Sequence, residues 1–254
     1  MPDSYAQGGP YTWDQLTGVF MNTSVTSADH IDNCDGNQAM WMFAVPEVGV
    51  FQDYNTIDWA HATPTHDFNA AFEAGKSYRL AIGVIGGGGG MLPGASLEVS
   101  LYYRDAVSNI VIVAAVNITN SPVIFSNNTH LVDFNVDVPP VRPEQAWAGQ
   151  NIGIRMLSTV SSNLEGGYWD LDNVRLSSTL EPVLANPVRT NGQFKFTLRS
   201  EAGLRFEILA ATNSSQPISN WTSLGTLTNL TGATLFSDAA ANLNCRFYRA
   251  RQLP

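Results

Sequence analysis

Apolar and polar positions alternate with a period of two through much of the chain. This period is typical of half-buried β-strands, in which successive side chains point to opposite faces. Helical periodicity with capping residues is almost absent, and glycine, proline and asparagine separate the alternating stretches. The pattern therefore predicts an all-β protein, a β-sandwich or barrel. The clearest of these stretches are residues 77–85, 96–104, 130–138, 151–157 and 166–176.

The alternation stops between residues 179 and 192, a stretch with two prolines that we interpret as a linker. Residues 1–178 are then predicted to form one domain. Residues 193–254 are predicted to form a second, smaller β module. A module of this size is large enough to fold independently, although only marginally.

Charge and hydropathy exclude two classes of partner. The chain has 254 residues, a formal net charge of −9 and no cluster of lysine and arginine, so we expect no nucleic-acid binding. No apolar run approaches the 18 or so residues of a membrane span, so we expect no membrane insertion. The first residues, MPDSYAQGGPYTW, lack a secretory signal. Either a signal has been removed or the protein stays inside the cell.

Two cysteines, Cys34 and Cys245, lie far apart in the sequence. Two are too few for a disulfide scaffold, so two separate thiols are the favoured interpretation. A bridge that joins the two ends of the chain is the alternative.

Acidic residues occupy unexpected positions in the stretch GGYWDLDNVRL, residues 166–176. Counting back by twos from Leu176 places Val174, Asp172 and Asp170 on one face, so both carboxylates are predicted to point where the apolar residues point. An ionised carboxylate in apolar surroundings costs several kcal/mol unless it is paired or coordinated. A hard cation such as Ca²⁺ would compensate. We expect one aspartate to be a ligand and the other to turn outward at a bulge.

A second acidic segment, residues 29–37, places Asp32, Asn33 and Asp35 in a turn before a strand. Its spacing does not match an EF-hand, and no glutamate closes the loop. These residues are candidate ligands of the same cation. The alternative is that Asp and Asn are simply favourable turn residues.

Aromatic residues point to carbohydrate as a ligand. Five of the six tryptophans precede residue 179, and aromatic faces can stack on sugar rings while carboxylates bond to hydroxyl groups. Burial in the core is the alternative for each aromatic residue. The sequence contains no nucleophile elbow and no evident Cys–His pair. The candidate stacking residues are Trp13, Trp59 and Tyr54, and the candidate polar ones are Asp133 and Asp137.

Several segments resemble the jelly-roll modules related to carbohydrate-binding modules and to the Stig cyclase fold. They include DGNQAMWM, FEAGKSYRLAIGV, AWAGQNIGIRM and the closing GGYWDLDNVRL, and the resemblance covers roughly residues 30–178. It implies a jelly roll with a structural calcium ion, with Asp172 as a ligand and Asp35 nearby. Such modules usually open with a strand reading Asn-x-Ser-Phe-Glu, which this chain lacks. Either that strand was lost or Asp32 or Asn33 replaces its acidic residue.

The tail from residue 203 resembles a short C-terminal β-sandwich module of large secreted bacterial proteins. Its landmarks are Trp221, Phe236, Asp238 and the run Arg246-Phe247-Tyr248-Arg249. The resemblance implies an immunoglobulin-like module, export and surface display.

Together these features predict a secreted protein with a calcium-stabilised jelly-roll β-sandwich followed by a small immunoglobulin-like β-sandwich. The favoured function is non-catalytic binding of a polysaccharide or cell-surface glycan, or adhesion. One alternative is a cyclase- or lyase-like enzyme that uses Asp133 or Asp137 as a general acid. Another is a structural subunit that self-associates in an extracellular assembly.

Overall fold

The computed structural model describes residues 15–57, 66, 68–239 and 245–253. The chain divides into two compact units, Met1–Ser178 and Thr179–Pro254. Its described residues form strands joined by turns and loops, with a 3-10 turn at Ile218–Asn220 and no α-helix among them. The predicted all-β fold class is therefore confirmed. A membrane-spanning helix is also absent from the described residues.

The described residues of the first unit form two sheets. In the five-stranded sheet the order is β1-β2-β9-β4-β7, and in the four-stranded sheet it is β3-β8-β5-β6. Because the chain passes repeatedly from one sheet to the other, the result is a β-sandwich of jelly-roll type. The strands are β1 (Thr17–Met21), β2 (Gln38–Phe43), β3 (Gly49–Gln52), β4 (Lys76–Gly88), β5 (Ser96–Arg104), β6 (Ile110–Thr119), β7 (Val132–Val138), β8 (Gly153–Ser158) and β9 (Tyr168–Leu180).

The core of this unit lies between the two sheets. Leu80 and Ile82 of β4 meet Leu97 and Leu101 of β5 in one cluster, together with Trp169 of β9, and all five are fully buried. Each such side chain contributes roughly 1.5–3 kcal/mol by leaving water. The alternation that predicted β4 and β5 is therefore the alternation between core and outer face.

The expected direction of the two β9 carboxylates is wrong. Trp169 and Leu171 are buried in the core, so Asp170 and Asp172 point to the opposite, outer face. The reason is Asn173, whose φ of 57° places it in the left-handed region and changes the phase of the alternation. Leu176 still contacts the core. Counting back from it across Asn173 therefore assigns the wrong face.

In the second unit, the described residues form two three-stranded sheets, β10-β11-β14 and β13-β12-β15. The ring of Tyr248 contacts Phe194 at 4.7 Å and Phe196 at 5.5 Å between centroids, which joins β15 of one sheet to β11 of the other. An immunoglobulin-like topology remains a prediction. The strands are β10 (Val183–Thr190), β11 (Gln193–Arg199), β12 (Arg205–Ala211), β13 (Thr222–Thr228), β14 (Ala233–Asp238) and β15 (Phe247–Leu253).

The prediction of a linker over residues 179–192 is wrong, because β10 occupies most of that stretch and pairs with β11. Pro187 lies at a register shift between Ala185 and Val188, next to Asn186 with φ 52°. Proline lacks an N–H group, but an edge strand with a bulge does not need that donor. The prolines therefore mark an irregular edge strand.

Candidate functional site

The outer face of the five-stranded sheet carries a cleft of about 530 Å³. Strands β1, β2, β4 and β9 contribute to it, and residues from the loop after β1 and from the segment before β7 form its rim. It is lined by Phe20, Thr23, Asp29, Ile31, Trp41, Phe43, Ile85, Gly88, Asn128, Tyr168 and Asp170.

Strand register places the central side chains of this cleft. In the antiparallel pair β2–β9, Trp41 lies opposite Asp170 and Phe43 lies opposite Tyr168. Directly opposite residues share a face, so all four side chains project from the same side of the sheet. The residues between them, such as the fully buried Met42 and Trp169, take the core side. The alternation along β2 and β9 therefore places one set of side chains in the core and the other set in the cleft.

Aromatic rings form the walls of the cleft. The rings of Trp41 and Phe43 lie 5.1 Å apart between centroids at an interplanar angle of 58°. Tyr168 lies against the end of β4, where a Cβ atom on Gly88 would come within 2.5 Å of its ring. The glycines at this end of β4 therefore leave the space that the tyrosine ring occupies.

Asp170 is the carboxylate at the centre of this face. It is half-buried among the aromatic side chains, and burial raises its pKa to about 6. No hydrogen-bond or ion-pair partner for it is found among the residues that the structure describes. A carboxyl group with this pKa is ionised at neutral pH and becomes a hydrogen-bond donor at mildly acidic pH.

Asp172 and Asp35, two of the predicted calcium ligands, are engaged in hydrogen bonds. The Oδ2 atom of Asp172 accepts from the backbone N–H of Asp35 at 2.7 Å and from the thiol of Cys34 at 3.0 Å. The carboxylate of Asp35 accepts from Nη2 of Arg175 at 3.0 Å. Burial and the bond to Asp172 raise the pKa of the Cys34 thiol to about 12, and both Cys34 and Cys245 are free thiols.

Asp32 and Asn33, the other two, bond toward the start of β7. The carboxylate of Asp32 lies 2.6 Å from Nδ1 of His130. The side chain of Asn33 exchanges two hydrogen bonds with the backbone of Leu131, at 2.9 and 2.8 Å. These bonds, with those of Asp172, hold the segment 29–37 against β7 and β9. We call this arrangement the acidic clasp.

The oxygen atoms of the acidic clasp bond to several different partners, so a calcium ion at this position would have to replace some of these bonds. Within the described parts of the chain, no three His, Cys, Asp or Glu side chains are grouped in a way that could hold a metal ion. Calcium binding therefore remains a prediction.

The predicted ligand-binding residues lie outside the cleft or outside the described residues. Tyr54 stacks on the ring of His66 with centroids 4.1 Å apart. Asp133 is exposed on β7, and Asp137 on the same strand makes two bonds to Arg79, at 2.6 and 3.2 Å. Trp13 and Trp59 fall in the part of the chain that the structure does not describe.

The sequence-based selection missed Trp41, Phe43, Tyr168 and Asp170 as members of one site. A signal was present, since each pair is spaced by two on a predicted strand and therefore shares a face. What the sequence does not show is that β2 and β9 are neighbours in this register.

A buried cluster in the first unit lies outside the cleft. Asp53, only 4% exposed, accepts from the hydroxyl of Tyr102 at 2.6 Å and from Nε of Arg104 at 2.7 Å. Burial alone would raise the pKa of Asp53, but the bonds from Tyr102 and Arg104 hold it below its usual value. Because its oxygen atoms are satisfied internally, we assign the cluster to stability.

No family model and no curated protein matches this chain. Among solved structures, a cyclase from Fischerella sp. TAU is similar with 19% identity and a TM-score of 0.48, covering 72% of this chain and 83% of that one. The apo form of a cyclase from Fischerella sp. has 19% sequence identity and a TM-score of 0.49, and the match covers 72% of this chain and 82% of that one. The CBM22-1–CBM22-2 tandem domain of Xyn10C from Paenibacillus barcinonensis has 12% sequence identity and a TM-score of 0.35, and the match covers 94% of this chain and 86% of that one. Likenesses this distant assign no ligand or activity to the chain.

Proposed function

We propose that the first unit binds carbohydrate in the cleft on the outer face of its five-stranded sheet. The observation that carries this proposal is the combination of aromatic walls with a few polar groups in one concave site. Trp41 and Tyr168 offer ring faces to a sugar, and Asp170, Asp29 and Asn128 offer hydrogen bonds to its hydroxyl groups.

The size of the site agrees with this use. A cleft of about 530 Å³ falls within the range of small-molecule binding sites, roughly 300–1,000 Å³. Strands supply its central residues, so its geometry is fixed before the ligand arrives. Rigid sites of this kind lose little conformational entropy on binding.

A glycan array with the full chain tests the proposal. We expect wild-type protein to bind at least one glycan class and Trp41→Ala to lose that binding, because the variant removes the largest stacking surface. Trp221→Ala is the matched control, since Trp221 lies in the second unit, where its indole donates to the carbonyl of Gln216. This control should bind as wild type does. An array without hits, or equal binding by Trp41→Ala, would contradict the proposal.

A second candidate function is acid–base catalysis by Asp170, a cyclase- or lyase-like activity in the same jelly roll. It is supported by a half-buried carboxyl group whose pKa is raised to about 6, which suits a general acid near neutral pH. This assignment uses Asp170 in place of Asp133 and Asp137, which lie outside the cleft. Mass spectrometry of the ligand after prolonged incubation distinguishes the two functions. Unchanged ligand supports binding alone, and a product that disappears with Asp170→Asn supports the enzyme.

Three further properties belong to the same proposal: a structural calcium ion, export with surface display through the second unit, and self-association. Calcium is tested by thermal unfolding in Ca²⁺ and in EDTA, since a metal that binds only the folded state must raise the midpoint. An equal midpoint in both would refute calcium binding.

Sedimentation at several concentrations tests self-association, and cell fractionation of the native host tests export.

A further inference from the structure

Charge distinguishes this cleft from a site for neutral ligands alone. Its described lining includes two carboxylates, Asp29 on the rim and Asp170 at the centre, and no lysine, arginine or histidine. His30 follows Asp29 in sequence, but its Nδ1 atom lies 2.7 Å from the carbonyl of Thr23. A ligand therefore meets negative charge without a positive group beside it.

Of the two carboxylates, Asp170 is the one for which the lack of a positive partner matters more. Its carboxyl group is half-buried between aromatic side chains, and the described residues supply it with no hydrogen-bond donor. A charged group in such surroundings is unfavourable unless it is paired. A bound cation would provide the missing partner, and its charge-assisted hydrogen bond would be shorter and stronger than a bond from a neutral hydroxyl group.

The aromatic walls favour the same ligand chemistry. Faces of tryptophan and tyrosine attract an ammonium group within about 6 Å of the ring centroid, and the attraction strengthens where water is excluded. Trp41 lies directly opposite Asp170 in the strand register, and Tyr168 projects from the same face. A positive group bonded to Asp170 would therefore lie among aromatic rings.

We propose that the cleft selects a glycan that carries a protonated amine, that is, an amino sugar with a free amino group. This inference rests on the proposed carbohydrate binding and specifies its substrate class. The ammonium bonds to Asp170 between the aromatic walls, while the sugar ring stacks on them. Uronic acids and other anionic sugars are disfavoured, because they would bring a second negative charge next to Asp170 and Asp29.

Calorimetric titration with two matched oligosaccharides tests the inference. A β-1,4-linked glucosamine tetramer and cellotetraose differ only in an amino or a hydroxyl group on each ring. At about pH 6.5, where the amine and the carboxyl group of Asp170 are both largely charged, we expect the glucosamine tetramer to bind the full-length protein at least about tenfold more tightly, the scale of one added charge-assisted bond.

Two variants assign the preference to Asp170. Asp170→Asn keeps the shape of the side chain and removes its charge, so the preference for the amine should fall to about twofold or less. Asp133→Asn is the matched control, because it removes one exposed negative charge from β7, a strand that contributes no residue to the cleft lining. This control should keep the full preference. Asp29→Asn, at the exposed rim, provides a second test and should lower the preference by a smaller factor.

The outcomes separate this inference from the proposed function. Equal affinity for the two tetramers, or a preference that survives in Asp170→Asn, overturns the selection of amines while carbohydrate binding stands. If neither tetramer binds and the glycan array is also empty, carbohydrate binding itself fails. A preference that disappears with Asp170→Asn and persists with Asp133→Asn supports the inference.

Discussion

At the scale of single residues, two aspartates of the first unit illustrate opposite ways to place a carboxylate. Asp53 is buried and bonded to Tyr102 and Arg104, and its pKa is lowered. Asp170 is half-buried without a described partner, and its pKa is raised. The first arrangement stabilises the fold, while the second leaves a carboxyl group that the proposed ligand would bond.

Asp170→Asn should stabilise the protein at neutral pH. The pKa of Asp170 in the folded state, about 6, exceeds the usual aspartate value of 3.8, so the folded state holds more protons between those values and the free energy of unfolding falls as pH rises from about 4 to 6. After a discount for partial solvent exposure, we expect the variant to gain about 1 kcal/mol at pH 7 and nothing near pH 4. Urea denaturation at both values measures this. A variant that is no more stable at pH 7 than wild type would contradict it.

Asp53→Ala should destabilise the first unit by about 3 kcal/mol, because it leaves the Tyr102 hydroxyl and the Arg104 guanidinium without their buried partner. Asp137→Ala also removes an aspartate from an arginine pair, but that pair is exposed and should cost less than about 1 kcal/mol. Thermal and urea unfolding compare the two. Equal losses would show that the buried cluster has no special role.

At the scale of elements, β4 and β9 determine where the cleft lies. Strand β4 ends in glycines, and Tyr168 at the start of β9 occupies the space that their missing side chains leave. The shape of the cleft therefore depends on glycines, because they leave room for the Tyr168 ring.

Gly88→Ala should weaken ligand binding by tenfold or more, since its Cβ atom would come within 2.5 Å of the Tyr168 ring and displace it. Gly90→Ala is the control: Gly90 has φ +78°, which strains an alanine, but no atom lies within 4 Å of the added carbon. Calorimetry gives the affinity, and unfolding curves give the stability. If both variants lose stability but only Gly88→Ala loses affinity, the wall formed by Tyr168 is required for binding.

The same elements show what the sequence could predict. Period-two alternation placed β5 at 96–104, where the structure has Ser96–Arg104, and it located β4 and β7 within a few residues. It failed on β9, because a left-handed residue at Asn173 reverses the phase without any change in hydrophobic content. It also could not bring Trp41 next to Asp170, since pairing between distant strands depends on the whole sheet.

At the scale of the whole molecule, the two units differ in what they offer a ligand. In the first unit, one sheet face is used for the core and the other forms a cleft with aromatic and acidic lining. Among the described residues of the second unit, the buried polar side chains Ser200, Asn229 and Asp238 are bonded within the unit, as in the bond from Tyr248 to Asp238 at 2.9 Å. We therefore assign binding to the first unit.

The most direct test of this account is a calorimetric titration of the strongest glycan from the array into wild-type protein and Trp41→Ala. We predict saturable binding to the wild type at one site per chain and at least a tenfold loss of affinity in the variant, because truncating a central aromatic residue of a binding site costs about 2 kcal/mol. Equal affinities in the two proteins would show that the ligand binds elsewhere and that the cleft is not the functional site.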